Sequence, residues 1–383
     1  MKFIERAVKT NILKKLKPGK VVVLVGARRT GKTVLLKEIT KNFTEPILML
    51  NGEDYRTAEL FRNKGIIEYK KLLGNKRFLI IDEAQKVEGI GRILKLMVDE
   101  IEDLKILVTG SSAFDLNNKL GEPLTGRKHT VKLYPVAQCE WGNYENLIET
   151  RSMLEHRMIY GNYPELIHLQ DNSEIAEHLY ELVGSYLLKD ILELDNIKNS
   201  AKLLNILRLL AFQIGHTVSI NEIAQNAGLS KNTVDHYLDL LEKVFIIFRL
   251  EGYSRNPRKE ISKSPRYYFF DNGIRNALIA NFNSLNLRND QGALWENYMI
   301  SERIKFHSYN NIYANYFFWR TYNQQEIDWI EEREGQLFAY EMKYNKNKIK
   351  VPSAWSKHYP NSEFQVIHLD NYLDFITSQH FNK

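Results

Sequence analysis

The sequence predicts an α/β protein of several domains, and three observations lead to this prediction. First, the β-branched apolar run at residues 21–25 leads through G-x-x-x-x-G-K-T into an apolar pattern of helical spacing. Second, another apolar run, residues 78–81, ends at two consecutive carboxylates. Third, the last third of the chain places carboxylates and a lysine on paired strands that follow a helix. A length of 383 residues allows two or three domains.

The first elements, a helix over residues 3–16 and the strand at 21–25, lead into a phosphate-binding loop. Its glycines let backbone N–H groups turn toward a phosphate, and the following helix adds its positive dipole end. We expect Lys32 to reach the β- and γ-phosphates of a nucleotide and Thr33 to bind Mg²⁺. A chance glycine-rich turn is the alternative. The candidate nucleotide-binding residues are Gly26, Ala27, Arg28, Arg29, Thr30, Gly31, Lys32 and Thr33.

Two further strands are predicted at residues 46–50 and 78–81, and the second of them ends at Asp82 and Glu83. A carboxylate at such a strand end holds Mg²⁺ beside the P-loop threonine, so Asp82 joins Thr33 as a candidate metal ligand. Glu83 can polarise the attacking water as a general base. Together with Lys32, these two acids are the candidate catalytic residues. The alternative is a purely structural Asp–Glu pair.

A fourth strand, residues 105–109, ends at a polar tip. Thr109 or Ser111 could contact the γ-phosphate or the attacking water, the role called sensor 1, while a helix N-cap serine is the alternative. Arg127 follows in Leu-Thr-Gly-Arg and is a candidate arginine finger for a neighbouring subunit, which would require oligomerisation. A surface arginine, or one that pairs within its own subunit, fits the sequence equally well.

The motifs GARRTGKT, FLIIDEAQ, VTGSS, LTGR and LYPVAQCEW together resemble those of prokaryotic AAA+-type ATPases that carry a C-terminal DUF4143 region. The resemblance covers nearly the whole chain. For residues 1–136 it implies an ASCE-type P-loop ATPase domain with a central parallel sheet and with ATP and Mg²⁺ as cofactors. Residues 137–200 are mostly helical by pattern and resemble the lid that closes over nucleotide in such ATPases. Their Gly-Asn-Tyr-Pro-Glu element, residues 161–165, is similar to one in that family.

Residues 201–270 show the order helix, helix, turn, helix, hairpin, which predicts a winged helix-turn-helix. Ser219 and Ser230 are the expected N-caps of its second and third helices. The third helix mixes basic, amide and acidic side chains with a net charge near zero, which disfavours the reading of base edges. The hairpin either contacts a phosphate backbone or only packs against protein, and its basic residues are Arg255, Arg258, Lys259 and Lys263.

Residues 271–383 predict an α/β domain that resembles the PD-(D/E)xK restriction-endonuclease fold. Glu296 lies on a helix, Asp328 at the end of a strand, and Glu341 and Lys343 on one face of the return strand after a turn at 331–335. Asp328 and Glu341 would ligate Mg²⁺, Glu296 would complete the metal shell, and Lys343 would orient water against a phosphodiester. The alternative is an ordinary solvated Glu-x-Lys face.

The composition limits the class of protein. No apolar run approaches the roughly 20 residues of a membrane span, and the N-terminus lacks the apolar core of a signal peptide. A single cysteine, Cys139, excludes internal disulfides and a cysteine-based zinc site, so a cytoplasmic protein is the simplest expectation. The net charge of +6 is modest, but basic residues cluster at 1–41, 249–266 and 343–350, either to follow phosphates or as scattered solvated side chains.

These features predict an enzyme that binds and hydrolyses ATP and that couples turnover to DNA binding or processing through its nuclease-like domain. The alternative is a nucleotide-controlled switch that binds a protein partner, with a C-terminal domain that does not cleave. The near-neutral third helix favours the switch. The Glu-x-Lys constellation favours the DNA-processing enzyme.

Overall fold

The computed structural model describes residues 4–62, 64–110, 124–186, 200–254, 264–346 and 349–377. Two β-sheets, each covered by helices, make up this part of the chain. Five of the predicted functional residues lie outside the described ranges: Ser111, Arg255, Arg258, Lys259 and Lys263.

The N-terminal sheet has five parallel strands in the order β2-β3-β4-β1-β5. They are β1 (Val21–Val25), β2 (Ile47–Asn51), β3 (Phe78–Asp82), β4 (Lys105–Gly110) and β5 (Lys128–Lys132). The first four confirm the strands expected from apolar runs. The fifth strand has the sequence Lys-His-Thr-Val-Lys and only Val131 is buried, so it lacked the apolar run that would have predicted it.

Helices cover both faces of this sheet, which explains why its strands are apolar without interruption. Along β1, Val21, Val23 and Val25 belong to one apolar cluster, whereas Val22 and Leu24 belong to the cluster on the other face. The helices of this part are α1 (Val8–Lys15), α2 (Lys32–Thr40), α3 (Tyr55–Phe61), α4 (Ile66–Leu73) and α5 (Ile90–Glu100).

The middle of the chain is helical, as its pattern predicts. Its helices are α6 (Leu147–Ser152), α7 (Leu154–Tyr160), α8 (Asn172–Glu181), α9 (Ser200–Phe212), α10 (Ile220–Ala227) and α11 (Lys231–Lys243). Ser219 accepts a hydrogen bond from the Glu222 N–H and Ser230 from the Thr233 N–H, which confirms both predicted N-caps. Gly228 forms the turn between α10 and α11 with φ 60°. The winged-helix assignment itself stays a prediction.

The second sheet has six strands in the order β11-β10-β9-β8-β6-β7. They are β6 (Ile247–Gly252), β7 (Arg266–Phe269), β8 (Asn315–Arg320), β9 (Glu326–Arg333), β10 (Gln336–Met342) and β11 (Glu363–Ile367). The remaining helices are α12 (Asn272–Leu278), α13 (Gln291–Tyr309), α14 (Ser353–His358) and α15 (Tyr372–Ile376).

This sheet crosses the predicted boundary at residue 270. The hairpin β6–β7, expected as the wing, pairs through Glu251 and Gly252 with Phe317 and Phe318 of β8. One apolar cluster also runs from Leu154 to Ile376 and spans the predicted boundaries at 200 and 270. Because the sheet crosses the boundary at 270 and the cluster crosses both boundaries, neither of them separates a lid, a winged helix and a nuclease-like domain. This division of the chain stays a prediction.

The turn predicted at residues 331–335 is wrong by three residues. Strand β9 continues to Arg333, because Glu331 is buried and bound by Arg303, whose Nε donates to Glu331 Oε1 at 2.7 Å. Asp328 accordingly lies near the start of β9 and not at its end. Lys343 lies one residue beyond the end of β10. Within the described ranges, no helix is long and apolar enough to cross a bilayer.

Candidate functional site

The P-loop connects β1 to α2 in the conformation that its glycines allow. A Cβ on Gly26 would lie 2.1 Å from the carbonyl oxygen of Leu133, so only glycine fits where the loop leaves the sheet. Gly31 adopts φ 91° immediately before α2 begins. Inside the loop, the Thr30 hydroxyl donates to Ala27 O at 2.8 Å, and Lys32 Nζ donates to Gly26 O at 2.8 Å. Lys32 is thus held in the centre of the loop, as sequence analysis places it.

Asp82 joins the P-loop to the neighbouring strand ends. Its Oδ2 accepts the Thr33 hydroxyl at 2.7 Å, and its Oδ1 accepts the Thr109 hydroxyl from β4. Thr109 Oγ1 in turn accepts the N–H of Glu83 at 3.0 Å. Because β1, β3 and β4 are parallel and adjacent, their carboxyl ends bring these four side chains to one edge of the sheet.

Glu83 follows β3 in a constrained conformation. Its backbone is left-handed, with φ 49° and ψ 45°, which is uncommon for a residue other than glycine and concentrates at functional sites. A Cβ on Gly52, which follows β2, would lie 2.3 Å from Glu83 O, so the two strand ends touch here. The side chain of Gln85 donates to Glu83 Oε2 at 2.6 Å and fixes the carboxylate.

A cavity of about 730 Å³ lies in front of this edge. The P-loop, Asp82 and Glu83 contribute polar groups to its lining, which also includes the apolar residues Ile4, Val136 and Ile167. A volume of several hundred Å³ with a polar and an apolar part is typical of a small-molecule site. Glu165 of the Gly-Asn-Tyr-Pro-Glu element lines the cavity too and lies 3.5 Å from the Arg29 guanidinium.

Arg127 lies outside the lining of this cavity and pairs within its own chain. Its Nε donates to Asp99 Oδ1 of α5 at 2.5 Å, and both side chains are partly exposed. This pairing is one of the alternatives that the sequence left open, and a role as a finger stays a prediction. Of the two sensor candidates, Thr109 contacts Asp82 and Glu83, whereas Ser111 lies outside the described residues.

The four residues of the predicted nuclease-like constellation lie close together in a second group of charged side chains, which we call the acidic cluster. Asp328 Oδ2 accepts the N–H of Met342 at 2.9 Å, which places it beside β10. Lys343 Nζ lies 2.9 Å from Glu341 Oε1. Glu296 reaches the acidic cluster from α13, where its Oε1 accepts the hydroxyl of Tyr268 at 2.5 Å.

Three family profiles cover most of the chain. The AAA domain matches residues 18–141, and two domains of unknown function, DUF8612 and DUF4143, match residues 151–288 and 291–367. The chain therefore carries an AAA domain followed by a C-terminal DUF4143 domain. This finding confirms the resemblance that the sequence motifs indicated, and the AAA match agrees with the parallel sheet around the P-loop. The boundary at 288–291 differs from the predicted one at 270.

Two relatives of this AAA–DUF4143 chain are described as uncharacterized proteins. One, from Mycobacterium tuberculosis, is 26% identical over 84% of this chain and 70% of its own length. Another, from Methanocaldococcus jannaschii, is 25% identical over 90% of this chain and 79% of its own length.

Comparison with solved structures finds a branch migration motor and a helicase at low similarity. The RuvB Holliday junction branch migration motor of Thermotoga maritima matches with 17% identity over 64% of this chain and 90% of that chain, with a TM-score of 0.31. The Pif1 helicase from Candida albicans matches with 14% identity over 48% of each chain, with a TM-score of 0.28. These scores are too low to support an inference about this chain.

One residue that decides the chemistry of the acidic cluster could not be predicted from the sequence. Arg266 of β7, which the sequence shows only as part of a basic stretch, is 2% exposed and lies among the carboxylates. Its Nη1 lies 3.4 Å from Glu296 Oε1 and 3.6 Å from Asp328 Oδ1, and its Nη2 donates to Glu326 Oε2 at 2.9 Å. The guanidinium carbon sits 4.7 Å from the centre of the Phe318 ring.

The Arg266 guanidinium lies between two of the predicted Mg²⁺ ligands, Glu296 and Asp328. In the part of the chain that the structure describes, no group of three or more His, Cys, Asp or Glu side chains is arranged to hold a metal ion. The predicted metal shell of Glu296, Asp328 and Glu341 is thus not assembled here, because Arg266 lies between Glu296 and Asp328. An arginine within a basic stretch of sequence gives no signal of such burial.

Burial is the largest influence on the pKa values of the carboxyl groups in the acidic cluster. It raises the pKa of Glu296 to about 8, with a further contribution from the charge of Asp328, although Arg266 opposes the shift. Burial and the charge of Asp328 raise the pKa of Glu341 to about 7, against the opposing effect of Lys343. Asp328 also has a raised pKa, because burial outweighs its hydrogen bond from Met342 and the nearby charges of Arg266 and Lys343. Protons on these acids, together with the charge of Arg266, therefore offset the negative charge of the acidic cluster.

Proposed function

We propose that this protein binds ATP with Mg²⁺ at its P-loop and hydrolyses it. The observation that carries the proposal is the side-chain arrangement around Asp82, which binds the hydroxyls of Thr33 and Thr109 and lines one cavity together with Thr33, Lys32 and Glu83. P-loop hydrolases need this set of groups at one place.

Each group has a chemical role in this proposal. Lys32 and the loop N–H groups bind the phosphates, and Thr33 with Asp82 provides oxygen ligands for Mg²⁺, which neutralises phosphate charge when bound. Glu83 accepts the proton of the attacking water, and Gln85 keeps its carboxylate in place. The apolar side of the cavity suits the base of the nucleotide.

ATP turnover by the purified full chain tests this proposal. Lys32→Ala should abolish nucleotide binding or hydrolysis, because the P-loop lysine is the residue that reaches the β- and γ-phosphates. Lys37→Ala, on the exposed face of the same helix α2, is the matched control and should keep wild-type turnover. Turnover in Lys32→Ala equal to that of the wild type would remove the P-loop from the mechanism.

For the DUF4143 domain, the geometry favours a role without cleavage. Arg266 occupies the space between the carboxylates of Glu296 and Asp328. The metal-dependent cleavage predicted from the sequence has no role for an arginine at this place. We therefore favour a nucleotide-controlled switch whose C-terminal domain recognises a partner. A DNA-processing enzyme is the second candidate, because Asp328, Glu341 and Lys343 do lie close together in the acidic cluster.

One experiment separates these two candidates. ATP turnover is measured with and without DNA, in Mg²⁺ or Mn²⁺, for the wild type and for an Asp328→Ala/Glu341→Ala double variant, and the DNA is scored for cuts. The switch predicts turnover that is indifferent to DNA and DNA that stays intact. DNA-stimulated turnover with cuts that disappear in the double variant would establish the DNA-processing enzyme instead.

A further inference from the structure

Arg6, two residues before α1, is a buried side chain that holds the P-loop. Its Nη1 donates to the carbonyl oxygen of Thr30 at 2.9 Å, and its Nη2 donates to Tyr134 O at 2.7 Å. Its Nε lies 3.1 Å from Glu140 Oε1. Glu140 is itself fixed, because it accepts the backbone N–H groups of Ala7 and Ala137 at 2.7 and 2.8 Å. The Arg6 guanidinium thus has a fixed orientation.

The contact with Thr30 bears directly on phosphate binding. A trans peptide unit is planar, and its C=O and N–H groups point in opposite directions. When Arg6 holds the Thr30 carbonyl, it therefore fixes the direction of the Gly31 N–H as well. Gly31 has no side chain to restrain it and adopts φ 91°, so this peptide would rotate easily without an anchor.

A residue of the DUF4143 domain completes the arrangement. The hydroxyl of Tyr309, the last residue of α13, accepts Arg6 Nη2 at 3.2 Å and the N–H of Tyr134 at 3.1 Å. The carbonyl oxygen of Tyr309 accepts Asn11 Nδ2 at 2.7 Å. Tyr309 is 5% exposed, so its hydroxyl lies away from bulk solvent.

Helix α13 connects this contact to the acidic cluster. It runs from Gln291 to Tyr309 and carries Glu296 of that cluster near its other end. Between them, Glu302 Oε2 accepts the N–H of Gln138 at 2.6 Å. A single continuous helix of 19 residues, about 28 Å long, therefore joins the P-loop anchor to the acidic cluster.

We propose that Tyr309 is a positioning residue for the P-loop, which acts through Arg6 on the peptide between Thr30 and Gly31 and so couples nucleotide binding to helix α13. This inference rests on the proposed function, because it concerns how the same site binds ATP. Its consequence is reciprocal. Groups that fix the loop for phosphate also make α13 sensitive to the nucleotide.

Tyr309→Phe tests the proposal by removing one oxygen atom. The ATP dissociation constant, KM and kcat are measured, with Tyr298→Phe as the matched control. Tyr298 is a buried tyrosine of the same helix whose hydroxyl donates to Gln138 Oε1 at 2.9 Å and does not contact Arg6. Tyr309→Phe should weaken ATP binding and raise KM about tenfold, as expected for one charge-assisted hydrogen bond, with a smaller effect on kcat. Tyr298→Phe should stay within about twofold.

Two further measurements keep the test decisive. Hydrogen exchange of residues 291–309 should slow when ATP binds to the wild type and to Tyr298→Phe, but not when it binds to Tyr309→Phe. Arg6→Lys, which keeps the charge but loses the fork of N–H groups, should raise KM at least as much as Tyr309→Phe. Equal KM changes in both tyrosine variants, or wild-type binding in Tyr309→Phe, would overturn the proposal. A wild-type protein that binds no nucleotide would overturn the proposed function instead.

Discussion

Thr33 donates its hydroxyl to Asp82 across 2.7 Å, so the two candidate Mg²⁺ ligands already touch each other. One belongs to the first turn of α2 and the other to the last position of β3. The second oxygen of Asp82 is held by Thr109, which leaves the carboxylate little freedom. The two ligands are therefore oriented by the fold, and loss of either one should have a defined effect.

Thr33→Ala should lower Mg²⁺-dependent ATP hydrolysis by roughly 10- to 100-fold, because one preorganised oxygen is lost at the reacting phosphates. Thr33→Ser keeps the oxygen and should retain most of the activity. Thr40→Ala, at the far end of the same helix, is the control. Turnover is measured against Mg²⁺ concentration, and an unchanged Mg²⁺ dependence in Thr33→Ala would exclude Thr33 as a ligand.

Glu83→Gln should keep ATP binding and slow hydrolysis by about 10²- to 10⁴-fold, the usual contribution of a general base. The amide cannot accept the proton of water, although its size and its contact with Gln85 are similar. Glu53→Gln is the matched control, because Glu53 also lines the cavity and the change removes the same charge. Equal losses in both variants would mean that Glu83 acts only through its charge.

Above about pH 8, where Glu296 is ionised, Arg266→Gln should destabilise the fold by about 3–5 kcal/mol, because it leaves buried carboxylates without their cation. Arg249→Gln, in the same hairpin, should cost no more than about 1 kcal/mol, since Arg249 is largely exposed beside Glu242 and Glu251. Urea denaturation of both variants provides the comparison. If the two variants were equally stable, Arg266 would not be the cation that offsets the negative charge of the acidic cluster.

The signals that sequence analysis could use are local ones. The P-loop, the acids after β3 and the caps Ser219 and Ser230 all depend on residues within a few positions of each other, and the structure places them as expected. The strand order of the parallel sheet, the pairing of β6 with β8 and the burial of Arg266 depend on residues far apart in the chain. The contact of Arg6 with Tyr309 joins residues 303 positions apart, which no spacing could have indicated.

The raised pKa of Glu296 in the acidic cluster predicts that the stability of the fold depends on pH. The folded chain holds a proton on Glu296 up to about pH 8, whereas the unfolded chain releases it near pH 4.3. Between these values the folded state binds more protons, so stability falls as pH rises, by at most about 1.4 kcal/mol per pH unit. Glu296→Gln removes this titration, and its stability relative to the wild type should increase from pH 5 to pH 8. Urea denaturation at several pH values measures the slope, and parallel curves for both proteins would contradict the assignment.

The last prediction concerns the Gly-Asn-Tyr-Pro-Glu element, which the structure joins to the start of α12. Gly161 has φ 76°, and a Cβ there would lie 2.0 Å from Asp271 Oδ1. Asp271 cannot move aside easily, because its carboxylate accepts the N–H groups of Asn162, Gly273 and Ile274. This contact, and not catalysis, accounts for the glycine in the motif.

Gly161→Ala should therefore cost more than about 3 kcal/mol, the sum of a left-handed backbone and an overpacked buried contact. Gly19→Ala separates the two causes, because Gly19 has φ 80° but no atom within 4 Å of the added carbon. That variant should cost only about 1 kcal/mol. Urea midpoints for both variants give the difference, which measures the close approach alone. A Gly161→Ala variant no less stable than Gly19→Ala would show that α12 and the carboxylate of Asp271 can shift to admit a methyl group.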